Sequence, residues 1–164
     1  MKVLISGASG LIGTELAKQL SALGHQPIRL VRRPVKSADE MFWAPGISDL
    51  DPNSLSDIDA VINLAGATTG KIPWTKTYER ELISSRLDST KTLVDAINAC
   101  PNPPKVLISG SASGIYGDQG DAWLDESSPK GEGFLADLAY KWEEAAKLAK
   151  TRVVLVRTTM VMSK

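Results

Sequence analysis

Val3-Leu4-Ile5-Ser6-Gly7-Ala8-Ser9-Gly10-Leu11-Ile12-Gly13 joins a short apolar run to three evenly spaced glycines and then to the start of a helical pattern. The apolar run is continuous rather than alternating, as in a strand buried on both faces. Beyond it Leu11, Ile12, Leu16, Leu20 and Leu23 recur at helical spacing, Glu15, Lys18 and Gln19 fall on the other side, and Gly24 is placed as a C-terminal stop. The unit therefore reads strand, tight turn, helix. In that context Gly7 permits the turn, Gly10 lets the backbone approach a ligand, and Gly13 lets helix and strand pack closely. A helix N-terminus presents unpaired N–H groups and a partial positive charge, so an anion such as a pyrophosphate belongs there. Gly7, Ser9, Gly10, Leu11, Ile12 and Gly13 are the expected contacts to a dinucleotide; glycines that serve a tight turn alone are the plainer alternative.

The same alternation runs down the chain. Ala60-Val61-Ile62, Val106-Leu107-Ile108 and Val153-Val154-Leu155-Val156 are further continuous apolar runs. Pro27 to Val31 mixes Ile28, Leu30 and Val31 with Arg29, and Met41-Phe42-Trp43, closed by Pro45-Gly46, is a weaker sixth candidate. Between them Ile83, Leu87, Val94 and Ile97 mark a helix ending before Pro101, and Leu135, Leu138, Trp142, Ala145 and Ala149 mark another before the last strand. Helices alternating with buried strands predict an α/β fold: a Rossmann-type doubly wound parallel sheet in three α/β/α layers, one domain over residues 1–164. Asp118 to Gly133, rich in Gly, Asp, Ser and Pro, reads as a long surface loop, a feature often tied to function.

Composition narrows the partner. The 19 basic and 19 acidic side chains cancel without long runs of either sign, so neither a nucleic acid nor a membrane surface is expected, and a small molecule is. The single cysteine, Cys100, excludes an intrachain disulfide and fits a reducing compartment, the cytoplasm. Lying before Pro101, it reads as a core residue at a helix end. One His and one Cys cannot supply clustered zinc ligation, so no metal is expected. Trp43, Trp74 and Trp142 read as packing residues, and Trp123, in the long loop, as the one best placed to touch a ligand.

The cofactor choice turns on the end of the second strand. There, about 20 residues past the glycine turn, an NAD-binding domain offers a carboxylate to the adenosine ribose. Here the chain reads Val31-Arg32-Arg33-Pro34. A carboxylate would repel a 2′-phosphate, whereas guanidinium groups bind one by charge-assisted hydrogen bonds. NADP(H) is therefore expected over NAD(H), with Arg32 and Arg33 as selectors and the Ser9 hydroxyl as a further donor. The alternative is two solvated arginines starting a loop.

The Gly-x-x-Gly-x-x-Gly spacing resembles the short-chain dehydrogenase/reductase superfamily, and in particular its extended, sugar-nucleotide epimerase-like branch. Asn63-Leu64-Ala65-Gly66 is similar to an element that lies along the adenosine side of the cofactor in that superfamily, which implies contacts from Leu64, Ala65 and Gly66. Closer parallels to one subgroup of that branch are Trp74, Ile83-Ser84-Ser85-Arg86-Leu87, Pro103 to Ser109, Ser111-Ala112-Ser113-Gly114-Ile115-Tyr116-Gly117-Asp118, Phe134-Leu135, Trp142-Glu143 and Val154 to Thr158. They span nearly the whole chain.

The resemblance also exposes a gap. Its catalytic members use a Ser or Thr near the end of the fifth strand and a Tyr-x-x-x-Lys on the next helix, a spacing that puts both on one helical face. None of Tyr78, Tyr116 and Tyr140 is followed by Lys at that distance, and Phe134 and Leu138 stand where the pair would be. Tyr140-Lys141 cannot replace it, because adjacent helical residues diverge by about 100°. Two readings follow. In one, the protein is an NADP-dependent epimerase or oxidoreductase in which Ser111 or Ser113 orients a substrate, a nucleotide sugar by resemblance, and Tyr116 assists; Tyr116 has no basic neighbour in sequence. In the other, the domain binds NADP(H) without turning it over, as a sensor or regulatory module, and the serines satisfy backbone groups at a strand end. Arg86 stands where many extended members carry an Asn; it reads either as a ligand for an anionic group or as a surface arginine. The family's C-terminal substrate lobe is expected to be missing, with negligible turnover of any sugar nucleotide, and the open sheet edge makes a homodimer an expectation.

Overall fold

The computed structural model describes residues 1–162; Ser163 and Lys164, the end of the expected domain, lie outside the described residues. The elements are β1 (Lys2–Ser6), α1 (Leu11–Ala22), β2 (Gln26–Val31), β3 (Glu40–Phe42), β4 (Ala60–Asn63), α2 (Lys76–Ala99), β5 (Val106–Ala112), α3 (Phe134–Lys147) and β6 (Arg152–Thr158), with short 3₁₀ turns at Pro52–Leu55 and Ser113–Tyr116. The strands form one six-stranded sheet in the order β3-β2-β1-β4-β5-β6. Every pairing is parallel, with Leu4 beside both Ile28 and Val61, Val61 beside Leu107, and Leu107 beside Val153.

Period-two alternation within each continuous apolar run sends side chains to both faces. On one face Val3, Ile5, Ala60 and Ile62 pack under Leu16, Ala17 and Leu20 of α1. On the other, Leu4, Ile28, Leu30, Val61 and Leu107 pack against Leu93, Val94 and Ile97 of α2 and Ala146 of α3. The three-layer α/β/α arrangement follows. Strand order reverses between β1 and β4, the place where open α/β sheets leave a crevice beyond the carboxyl ends of their strands.

Several bounds differ from the periodicity. Helix α2 begins at Lys76, well before Ile83, because the Thr75 side chain caps it by accepting a hydrogen bond from the Tyr78 amide at 3.2 Å. Leu11, Ile12 and Leu23, assigned to the buried stripe of α1, are exposed: the first two sit in the helix's opening turn at the mouth of the crevice, and Leu23 is the C-cap. The weak sixth strand is real. It starts one residue early, at Glu40, and adds β3 to the sheet edge.

Gly13 carries the tightest packing of the first turn. A Cβ there would lie 2.3 Å from the Gly7 carbonyl oxygen and 2.7 Å from the Ala8 Cα, both backbone atoms with no freedom to yield. Gly13→Ala is expected to cost on the order of 2–3 kcal/mol and to lower the melting temperature by roughly 5–10 °C in a thermal unfolding experiment; an unchanged melting temperature would contradict this packing.

Candidate functional site

A cleft of about 1070 Å³ opens at the switch point, lined by Gly7, Ala8, Ser9 and Gly10, by Arg32 and Arg33, and by Leu64 to Ala67. It lies at the upper end of the range for small-molecule sites. Three of the expected clusters, far apart in sequence, thus meet on one surface. Leu11, Ile12 and Gly13 do not line it with side chains. They form the first turn of α1, whose N-cap, Gly10, supplies no side-chain hydrogen bond, so what they present is backbone N–H.

The cleft floor is held by a buried polar chain. Ser6 Oγ donates to Asn63 Oδ1 at 2.6 Å, Asn63 Nδ2 donates to Thr90 Oγ1 at 2.9 Å, and Trp142 Nε1 donates to the same oxygen at 2.9 Å. The amides of Leu64 and Ala65 donate in turn to Ser6 Oγ at 3.1 and 3.3 Å. This chain ties the ends of β1 and β4 to α2 and α3. Buried polar atoms need such partners, and here the partners also fix the backbone that Leu64, Ala65 and Gly66 offer to the cleft.

Arg86 is half-buried and reaches that backbone from behind. Its Nη2 donates to the Ala67 carbonyl and its Nη1 to that of Leu82, each at 3.1 Å, while the guanidinium lies 5.2 Å from the Trp142 ring. Its guanidinium is spent on backbone carbonyls and has no ion pair among the described residues. Burial pulls its pKa below the ordinary guanidinium value, and a Cβ on Gly66 would come within 3.1 Å of it.

At the mouth of β2 the charges pair. Arg33 donates through both terminal nitrogens to Glu40, at 2.6 and 2.8 Å, and Glu40 also accepts the Lys36 amide at 2.9 Å. These contacts, the Arg33 hydrogen bond first, hold the Glu40 carboxyl down at about 2. Arg29 pairs with Asp39 through a single contact, Nη2 to Oδ2. Arg32 is exposed on the cleft wall and has no hydrogen bond or ion pair among the described residues.

The residues expected to do chemistry lie beyond β5. Ser111 is buried, and its hydroxyl donates to Glu143 Oε1 at 2.6 Å. Glu143, buried on α3, also accepts from Arg157 of β6, Nε to Oε1 at 2.8 Å and Nη2 to Oε2 at 2.9 Å. Arg157 Nη1 then donates to the Tyr116 hydroxyl at 2.8 Å and to the Glu126 carbonyl of the long loop at 3.1 Å. Tyr116 does have a cationic neighbour, supplied by the fold from 41 residues away. Ser113 is half-buried, with no hydroxyl partner among the described residues. Phe134 opens α3 with its ring 5.8 Å from that of Trp74, and Leu138 is buried with Tyr78 and Leu82. The positions of the absent Tyr and Lys are thus apolar packing. Trp43 and Trp142 are buried, and Trp123 is fully exposed.

Sequence reading passed over Glu143, Arg157, Thr90 and Glu40 as working parts. The signal for Glu143 was its place beside Trp142, one helical turn from the buried Ala139 and Ala146; Arg157 continues the inward alternation of Val153 and Leu155.

The sheet order and the switch-point cleft define a Rossmann-type α/β protein. The chain belongs to the NAD dependent epimerase/dehydratase family, whose profile matches residues 3–136. It is 40% identical over 164 residues to an epimerase family protein of Mycobacterium leprae, covering 98% of this chain and 53% of that relative. The crystal structure of human epimerase family protein SDR39U1 (isoform 2) with NADPH superposes with a TM-score of 0.81 at 34% identity, over 96% of this chain and 53% of that one. A nucleoside-diphosphate sugar epimerase from Corynebacterium glutamicum gives 0.82 at 33% identity, over 96% of this chain and 33% of that one. The chain spans about half the length of the curated relatives it matches. No described helix is long and apolar enough to cross a membrane.

Removing one member of a buried ion pair leaves the other charge unpaired, so Glu143→Gln is expected to cost about 3 kcal/mol near neutral pH. Burial alone would raise the Glu143 carboxyl, but the hydrogen bonds from Arg157 and Ser111 outweigh it and hold the group below its ordinary 4.5. A depressed carboxyl stabilises the fold above its unfolded value and loses that contribution as pH falls through the folded one. In urea titrations the gap between wild type and Glu143→Gln is therefore widest near neutrality and narrows below 4.5; a gap independent of pH would contradict the pairing.

Proposed function

We propose that this chain binds NADP(H) in the switch-point cleft and forms the cofactor half of an epimerase- or oxidoreductase-like protein whose substrate is a small molecule, a nucleotide sugar being the leading class. The observation that carries the reading is the convergence of an uncapped α1 N-terminus, a glycine turn and the Arg32-Arg33 pair on one cleft. The backbone N–H groups of Leu11 and Ile12 suit the pyrophosphate, Ser9 and Arg32, with Arg33 beside them on the cleft wall, suit a 2′-phosphate, and Leu64, Ala65 and Gly66 form the wall on the adenosine side. The relative crystallised with NADPH supports the choice of cofactor. The sugar-nucleotide reading draws on the C. glutamicum neighbour. Cys100, buried and free, fits a reducing compartment, and the cytoplasm is the proposed location.

A second reading, NADP(H) binding without turnover, is favoured by one arrangement. Ser111 spends its proton on Glu143, and Phe134 and Leu138 offer none. Ser113, and Tyr116, which only accepts from Arg157 and keeps its own proton, are the hydroxyls left for a substrate.

Fluorescence titration separates these from an empty glycine turn. NADPH is expected to bind, and NADH to bind on the order of tenfold more weakly, for want of the charge-assisted bonds to the 2′-phosphate. Absence of binding by both nucleotides contradicts the proposal. In the same preparation, NADPH-dependent turnover of a sugar nucleotide would exclude the non-catalytic reading.

A further inference from the structure

The two arginines after β2 are not equivalent, and the difference lies in Glu40. Its side chain is only 6% exposed, although Arg33's is 46% exposed. The carboxylate sits at the start of β3, where Glu40 pairs with Arg29 in the β2–β3 ladder, so its position is set by the sheet rather than by the loop. From there it takes both terminal nitrogens of Arg33 and the Lys36 amide. Arg33 Nη1 also donates to the Pro34 carbonyl at 2.9 Å. A bidentate guanidinium–carboxylate pair is close to neutral as seen by a third group and presents its donors to its own partner. Arg32, one residue earlier on the same cleft wall, has no such partner among the described residues.

We propose that Arg32 alone carries the selectivity for a 2′-phosphate, and that Glu40 is a specificity-determining residue which restrains that selectivity by holding Arg33 out of the phosphate site. The proposal rests on the NADP(H) reading above. Its consequence is an unusual one for a carboxylate near a cofactor phosphate: Glu40 acts through Arg33 to keep NADH within reach of the site. Of the two arginines after β2, Arg32 is then free and Arg33 cancelled.

The test is calorimetric titration of NADPH and NADH into wild type, Arg32→Ala, Arg33→Ala, Glu40→Gln and the double variant Arg33→Ala/Glu40→Gln. Gln keeps an oxygen for the Lys36 amide, so the loop retains that contact. Wild-type binding of NADPH tests the underlying reading; the ratio of NADPH to NADH affinity across the variants tests this one. Arg32→Ala is expected to lower the ratio by on the order of tenfold or more, and the double variant, which removes Arg33 together with its partner charge, to change it by less than about threefold; Arg33→Ala alone leaves the Glu40 charge unpaired and lowers the ratio further than the double variant does. Glu40→Gln is expected to raise the ratio several-fold, and the double variant to lose that gain, because the gain comes from the released Arg33. A ratio in Glu40→Gln that is unchanged or lowered overturns the proposal. So does a gain that survives in the double variant, which assigns it to the missing negative charge alone, and so does a double-variant loss equal to that of Arg32→Ala.

Discussion

The carbonyl of Leu64 passes so close to Gly7 that a Cβ on this residue would lie 2.5 Å from its oxygen, in a backbone conformation (φ +69°) that side chains rarely adopt. Everything at the switch point depends on that approach. It brings the turn after β1 against the exit of β4, so the two walls of the cleft are one packed unit. Gly13, pressed on the Gly7 carbonyl in turn, fixes where α1 begins and hence where its free N–H groups point. The buried chain Ser6–Asn63–Thr90–Trp142 then locks the unit to the helices on the far face of the sheet. A cofactor site built on backbone needs this kind of support, because backbone donors can be aimed only by fixing the chain itself.

A second set of bonds fixes the carboxyl end of β5. Glu143 and Arg157 link α3 to β6, and through Ser111, Tyr116 and the Glu126 carbonyl they gather the end of β5, the turn after it and the long loop. A buried ion pair contributes little net stability against an apolar replacement, yet breaking it is costly. Its effect on chemistry is more direct. Of the three groups proposed for catalysis, Ser111 gives its proton to Glu143, whereas Tyr116 accepts from Arg157 and keeps its own, and Phe134 and Leu138 on α3 are apolar packing.

The fold was legible because its signals are local. Four of the six strands carry an uninterrupted apolar run, each helix has a periodic face, and the glycine turn sits between the first of each, so sequence spacing alone gives the α/β alternation. Bounds were less legible where polar residues do the capping, as Thr75 does for α2, or where the opening turn of a helix faces a cleft, as with Leu11 and Ile12. The site was legible in part. The glycines and the arginines are marked by local spacing, but the pairing of Arg33 with Glu40 needs β3 to lie beside β2, and the contact of Arg157 with Tyr116 needs β6 beside β5. Arg86 shows the limit most clearly: sequence offers a surface arginine or an anion ligand, and packing makes it a brace for the β4 exit.

The most direct test of the account is a crystal structure of this chain grown with NADPH. The account predicts the pyrophosphate within hydrogen-bond distance of the Leu11 and Ile12 amides, the adenosine ribose against Leu64 to Gly66, and the 2′-phosphate on the Arg32 guanidinium with Arg33 still paired to Glu40. A nucleotide bound anywhere other than the switch-point cleft, or bound there with its 2′-phosphate turned away from Arg32, would contradict it.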